Sequence, residues 1–222
     1  MTGTDTGVGK TVVAAALCAA LAARGERVAA FKPVVTGLDE DPGSWPRDHE
    51  LLASVASAGQ SPDDVAPVTF GPPVSPHYAA ELAATTVEPL ELAAAARAAA
   101  EGADALVCEG VGGLMVPLTP GYLIRDFALD LDLPLIVAAR PGLGTINHTL
   151  LTIEAARTAG LEVGAVVMTP WPADPDGMER SNRETIESLG SVRVLGLMHT
   201  QPDALAAAGA GLPLDDLLEP DH

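Results

Sequence analysis

The chain has 222 residues, 12 Lys and Arg against 30 Asp and Glu, a formal net charge of −18 and 48% hydrophobic residues. That length suits one domain, and the apolar content excludes a disordered acidic tail. The acidic field excludes a nucleic-acid partner, whose phosphates need a basic stripe. The longest apolar run, residues 12–23, falls short of the roughly 20 residues that cross a bilayer and has no basic segment before it, so no membrane span or secretory leader is expected.

Aromatic residues make up only 3%, so the core is expected to be built from Ala, Val and Leu. Cys18 and Cys108 fall in predicted helix and strand interiors, which suits buried free thiols in a reducing cytoplasm. Lysine is scarce: Lys10 and Lys32 stand alone beside ten arginines. Arginine can replace a lysine that only solvates a surface, but not one needed as a compact, mobile point charge, so both lysines are functional candidates.

In chain order, residues 3–11 (GTDTGVGKT) read as a glycine-rich loop running into an apolar helix over 10–23. A strand over 28–33 follows, then helices over 48–58, 76–84 and 89–101, and a strand over 105–108. Beyond it come a strand over 135–139, a helix over 146–159, a strand over 163–168, a helix over 176–189 and a strand over 192–197. The strands are continuous apolar runs, as strands covered on both faces are. Gly25, Gly102 and Gly160 follow three of the helices, where a left-handed cap suits glycine. The Pro- and Gly-rich stretches 38–47 and 66–75 read as surface loops. The pattern is that of a single α/β domain over residues 1–222, with a mostly parallel sheet and helices on both faces. No strand is visible before the loop at Gly3, although such loops normally follow one.

The loop carries the first chemistry. Backbone N–H groups of Gly7, Val8, Gly9 and Lys10 are placed to wrap a phosphate at the positive end of a helix. Lys10 would reach the terminal phosphates and the Thr11 hydroxyl would ligate Mg²⁺. The usual G-x-x-x-x-G-K-T spacing is missed by one, with Thr4 at the expected glycine position. Lys32 opens KPVVTG at the C-terminal end of a strand, the edge where open α/β sheets bind ligands, and there a compact cation can hold a carbamate or a transferring phosphoryl group. By residue type alone Lys32 is either that group or a surface lysine, and Asp48 is either a helix N-cap or a Mg²⁺ ligand. Glu109 ends an apolar strand and leads into Gly110-Val111-Gly112-Gly113, which points to a metal carboxylate beside a close-approach turn. His77 and His148 are read as structural or substrate-adjacent, and residues 39–41 as a solvated acidic loop tip.

Taken together, GTDTGVGKT, KPVVTG, the Asp48 region, VCEGVGG and GLGTINHT resemble the dethiobiotin synthetase family of P-loop NTPases, in the family's order and over residues 2–149. The resemblance implies an ATP-dependent ligase that makes dethiobiotin, ADP and phosphate from 7,8-diaminononanoate and CO₂ in biotin biosynthesis. It implies that Gly7, Val8, Gly9, Lys10, Thr11 and Val12 hold the triphosphate. Thr11, Asp48 and Glu109 would ligate Mg²⁺, and Lys32 would be the catalytic lysine beside Lys10. Thr36 would touch the substrate, and Glu109, Gly110, Val111 and Gly112 would line the nucleotide and substrate site. Leu143, Gly144, Thr145, Ile146 and Asn147 would hold the substrate's carboxylate end from the neighbouring subunit, making the active form a homodimer.

Two departures from the family pattern matter. Thr169-Pro170-Trp171 stands on the nucleotide's base side where many members place an Asn, so relaxed choice among nucleoside triphosphates is expected. Met1 occupies the place of a valine that ends an apolar strand in the family, so the fold is expected to lack its first strand as written and the natural chain to begin a few residues upstream. Two rivals share the ATPase fold. An amidoligase of the cobyrinic-acid type normally adds a glutaminase domain, for which 222 residues leave little room. A partition-type switch ATPase carries an extra lysine early in its loop, where Thr4, Asp5 and Thr6 stand here, and its membrane-bound members end in a basic helix, whereas residues 214–222 are acidic.

Overall fold

The computed structural model describes residues 1–218. In chain order the elements are β1 (Thr2–Gly3), α1 (Lys10–Ala23), β2 (Val28–Phe31), α2 (Asp48–Val55), α3 (Pro62–Val65), α4 (Pro76–Leu82), α5 (Pro89–Ala100) and β3 (Ala105–Cys108). A hairpin, β4 (Pro117–Thr119) and β5 (Tyr122–Leu123), leads into α6 (Ile124–Leu131). Then come β6 (Leu135–Ala139), α7 (Thr145–Thr158), β7 (Val163–Trp171), α8 (Gly177–Gly190) and β8 (Arg193–Met198). A short 3₁₀ turn precedes α9 (Leu205–Gly209) and α10 (Leu214–Leu218). Residues 219–222 of the acidic C-terminal stretch lie outside the described residues. Among the described residues no helix is long and apolar enough to cross a membrane.

Parallel pairing runs β1–β6–β7–β8 on one side and β2–β3 on the other. Contrary to the expectation from sequence, a strand does precede the loop, although β1 has only two residues. It pairs with Val137 and Ala138, and Gly3 also bridges Gly113. Met1 completes the seam: its ammonium donates to the Cys108 carbonyl at 2.7 Å, and the Gly110 N–H donates to the Met1 carbonyl at 2.9 Å. Below this seam β3 and β6 enclose an apolar cavity of about 350 Å³, walled by Leu17, Leu21, Val107, Phe127, Leu135 and Leu217 among others. Asp104 is the one acidic or basic side chain in its lining.

The scarcity of aromatics is met by close approach of small residues. Helix α1 buries Val13, Ala14, Ala15, Ala16, Leu17 and Cys18 in succession, so it is covered on nearly every side. Its alanines let α9 come near enough that Gly209 lies directly on the α1 backbone. On the opposite face Phe31 and Phe127 stack at 6.5 Å within a cluster from α4, α5 and α6, while α7 and α8 cover β6–β8. Cys18 and Cys108 are buried free thiols, and burial pushes both up to about 12.

The elements unseen in the sequence have local causes. α6 begins with Asp126 accepting from the Leu123 N–H at 2.8 Å, the half of a capping box that needs no Ser or Thr. α3 is a single turn held by Ser61 and Asp64. The glycines after α1, α5 and α7 do adopt positive φ, at 93° for Gly25, 72° for Gly102 and 91° for Gly160.

A methyl group at Gly209 would overlap the Ala16 carbonyl and lie 2.9 Å from the Ala20 Cβ. Gly209→Ala is therefore expected to lower stability by about 1–3 kcal/mol in urea unfolding, because backbone cannot yield as a side chain does. Gly177→Ala, with nothing within 4 Å of its Cβ position, is the control and should leave stability unchanged or raised.

Candidate active site

The loop between β1 and α1 is shaped by two left-handed glycines, Gly7 at φ 69° and Gly9 at φ 90°. A side chain at Gly9 is excluded twice, since its Cβ would also lie 2.5 Å from Thr169 Cγ2. Lys10 opens α1 and is buried, its Nζ donating to the Asp5 carbonyl at 3.1 Å. Burial pulls this ammonium below its ordinary range, and nearby Lys32 adds to the effect.

Lys32 follows β2, where its N–H donates to the Val65 carbonyl. Its Nζ donates to Asp48 Oδ2 and to Glu109 Oε1, both at 2.7 Å. Glu109 is wholly buried, and its Oε1 also accepts from the Thr11 hydroxyl at 2.9 Å. Burial alone would pull the Lys32 ammonium down; Glu109 and then Asp48 more than offset it, holding the lysine above its usual range. Burial also opposes ionisation of Asp48, but Lys32 outweighs it and keeps that carboxyl below the usual range. Asp48 is the first residue of α2, not its cap: the Arg47 N–H, not Asp48, is satisfied by Glu50.

These groups face a cavity of about 360 Å³. It gathers Gly7, Gly9, Lys10, Thr11, Val12, Lys32, Thr36, Asp48, Glu109, Val111 and Gly112, eleven of the residues expected at the site. The donor set suits Mg²⁺. Thr11, Asp48 and Glu109 offer one hydroxyl and two carboxylates, and Glu109 Oε2 is buried without a hydrogen-bond partner. Mg²⁺ takes one or two carboxylates together with phosphate oxygens and water, not an all-protein cage. No cluster of three or more His, Cys, Asp or Glu suited to a metal occurs among the described residues.

A family model described as an AAA domain matches residues 1–207. The ATP-dependent dethiobiotin synthetase BioD of Anaeromyxobacter dehalogenans (strain 2CP-1) is 41% identical over 203 residues, covering 91% of this chain and 90% of the relative. The protein of that name from Bacillus subtilis (strain 168) is 37% identical over 198 residues, 89% of this chain and 84% of the relative. The chain belongs to the dethiobiotin synthetase family. Among solved structures, the septum site-determining protein MinD complexed with Mg-ADP from Pyrococcus horikoshii matches 98% of this chain and 86% of its own at a TM-score of 0.51. At 16% identity that likeness speaks to the P-loop fold alone.

Not every residue expected from the synthetase resemblance lies in the cleft. Val8, Thr169 and Pro170 line an adjoining cavity of about 220 Å³ with Trp45, Arg140, His199 and Thr200. Gly110 turns the other way, toward Met1 and Ile124, so it braces the seam and does not line the cleft. Leu143 and Gly144 lead into α7, Thr145, Ile146 and Asn147 open it, and none of the five lines either cavity; Leu143 is 92% exposed, whereas Thr145 is buried. His148 is exposed, and His77 is tied to Ser75 at 3.0 Å, so neither histidine lines the cleft. Sequence reading missed Trp45 and Arg140. Arg140 follows β6 and donates to the Gly7 carbonyl at 3.1 Å, steadying the loop; its place at a strand's C-terminal end was the available signal.

Lys32→Met would leave Glu109 buried without its ammonium partner, and a loss of about 3–5 kcal/mol in urea unfolding near pH 8 is expected. Burial already raises the Glu109 carboxyl, and removing Lys32 raises it further. The folded variant then keeps a proton that the unfolded chain releases, so its deficit relative to wild type should shrink as pH falls into the carboxylate range. A deficit that stays constant from pH 8 to pH 5 would contradict this assignment.

Proposed function

We propose that this chain carboxylates 7,8-diaminononanoate with CO₂ and ATP and closes the ring to dethiobiotin, ADP and phosphate. The reading rests on one observation above the others: a buried ammonium, Lys32, held 2.7 Å from two carboxylates within the same cleft as the glycine-rich loop and Lys10. The membership of the chain in a family of ATP-dependent ligases supports it.

One amine of the substrate attacks CO₂ and loses a proton, giving an anionic carbamate. A carbamate oxygen then attacks the γ-phosphorus with ADP as leaving group. The second amine closes the ring on the carbamic carbon and expels phosphate. The task of the protein is to hold anions in line, and no nucleophilic side chain is required. The loop from Gly7 to Val12 cradles the triphosphate, with Lys10 on its terminal phosphates. Lys32 neutralises the carbamate oxygen as it attacks; Asp48, whose side chain is 44% exposed, is the partner it exchanges to do so. Thr11, Asp48 and Glu109 would hold Mg²⁺, which neutralises the phosphate oxygens. Thr36 contacts the diamine. Leu143 to Asn147 reach the substrate's carboxylate end from a second copy of the chain; the exposure of Leu143, Gly144 and Asn147 and the absence of all five from the lining of their own cleft support this. With no side-chain amide at Thr169-Pro170, ATP, GTP and CTP should all serve.

Phosphate release from Mg·ATP and bicarbonate is expected to depend on diaminononanoate. Lys32→Ala should lower that turnover by about 100-fold or more while ATP still binds. Hydrolysis indifferent to the diamine, in a folded protein that binds ATP, would instead favour a partition-type switch ATPase.

The shared site gives a separate test. Lys32→Ala and Asn147→Ala protomers, each inactive alone, should recover about a quarter of wild-type turnover when mixed and re-equilibrated, because a mixed dimer holds one intact site. No recovery, with mixed dimers demonstrated by mass, would place Asn147 in its own protomer's site; an Asn147→Ala protein active alone would place it in none.

A further inference from the structure

The phosphate cleft and the smaller cavity beside it share four walls: Gly7, Gly9, Val12 and Trp45. Three of these belong to the loop and the first turn of α1. Trp45 alone comes from elsewhere, the long loop between β2 and α2, three residues ahead of Asp48. The indole is half-buried and packs against the α1 core cluster, so it is anchored on one side while bordering both cavities on the other. A triphosphate whose terminal phosphates meet Lys10 must run its nucleoside out of the 360 Å³ cleft, and the contiguous 220 Å³ cavity is the space beside the loop that receives it.

The remaining walls of that smaller cavity include Arg140, Thr169, Pro170, His199 and Thr200, with no side-chain amide to pair with a base edge. An indole supplies a different kind of recognition. Every nucleobase has a π-face, so aromatic contact gives affinity with little regard to which base is present. Trp45 is one of two tryptophans in the chain. The other, Trp171, is engaged by Arg183, whose guanidinium carbon lies 5.7 Å from its ring centre, and by the close approach of Gly196.

We propose that Trp45 is a nucleoside-binding residue, an indole wall between the phosphate cleft and the base cavity that provides base-tolerant affinity. The inference rests on the reading that the loop holds a nucleoside triphosphate. It deepens that reading by assigning the nucleoside to an aromatic contact outside the loop.

The test titrates wild type, Trp45→Phe and Trp45→Ala with Mg·ATP, Mg·GTP, Mg·CTP and Mg·tripolyphosphate by calorimetry. Trp45→Ala should weaken the three nucleotides alike by about tenfold, Trp45→Phe should recover most of the loss, and tripolyphosphate should bind all three proteins equally. In a Trp171→Phe background, where Trp45 is the remaining indole, ATP should change the fluorescence and tripolyphosphate should not. Unchanged ATP affinity in Trp45→Ala overturns the proposal. So does an equal loss for tripolyphosphate, which would make Trp45 a brace for the loop. Wild-type protein that binds neither nucleotide nor tripolyphosphate overturns the triphosphate reading itself, an outcome distinct from both.

Discussion

A single ammonium joins the parts of this molecule that must act together. Lys32 comes from the end of β2, Asp48 from the start of α2 and Glu109 from the end of β3, and Thr11 of α1 shares the same carboxylate oxygen as the lysine. Four elements are thereby tied at one buried point. A wholly buried glutamate is costly unless a partner offsets its lost hydration, so the placement of Glu109 and the charge of Lys32 depend on each other. The cleft is in this sense assembled by electrostatics, and the sheet supplies the scaffold that brings the charges within reach.

That dependence explains why so much was legible beforehand. An apolar run that ends in Lys or Glu can bury its strand and still present a charge only at the C-terminal edge of a parallel sheet, so Lys32 and Glu109 could be placed from their neighbours. The strands at 105–108 and 135–139 and the helix at 10–23 were likewise readable from continuous apolar character and glycine caps, and they appear with those bounds. The membership in the dethiobiotin synthetase family follows from relatives spread over most of the chain and not from the loop alone.

What escaped the sequence depended on contacts distant in the chain. Two residues at the start form a strand because Val137, Ala138 and Gly113 offer them partners, and no propensity over two residues could reveal that. Trp45 lies in a stretch whose prolines and glycine read only as loop, and its importance comes from where the loop folds back, beside the glycines of residues 7–9. Gly110 shared the apparent logic of its glycine-rich neighbours, yet the chain turns there so that it faces Met1. The start of α7 had the look of a binding segment, and within one copy it does not line the cleft.

The two thiols add a practical consequence. Cys18 lies within α1, eight residues beyond Lys10, and Cys108 immediately precedes Glu109; both are buried and, at about 12, almost entirely protonated at neutral pH. Thiolate is the reactive form, so neither should meet an alkylating reagent while the core stays closed. Their modification therefore acts as a clock for opening of the core, one hand in α1 and the other at the end of β3. Anything that binds across the loop and Glu109 should slow both hands together.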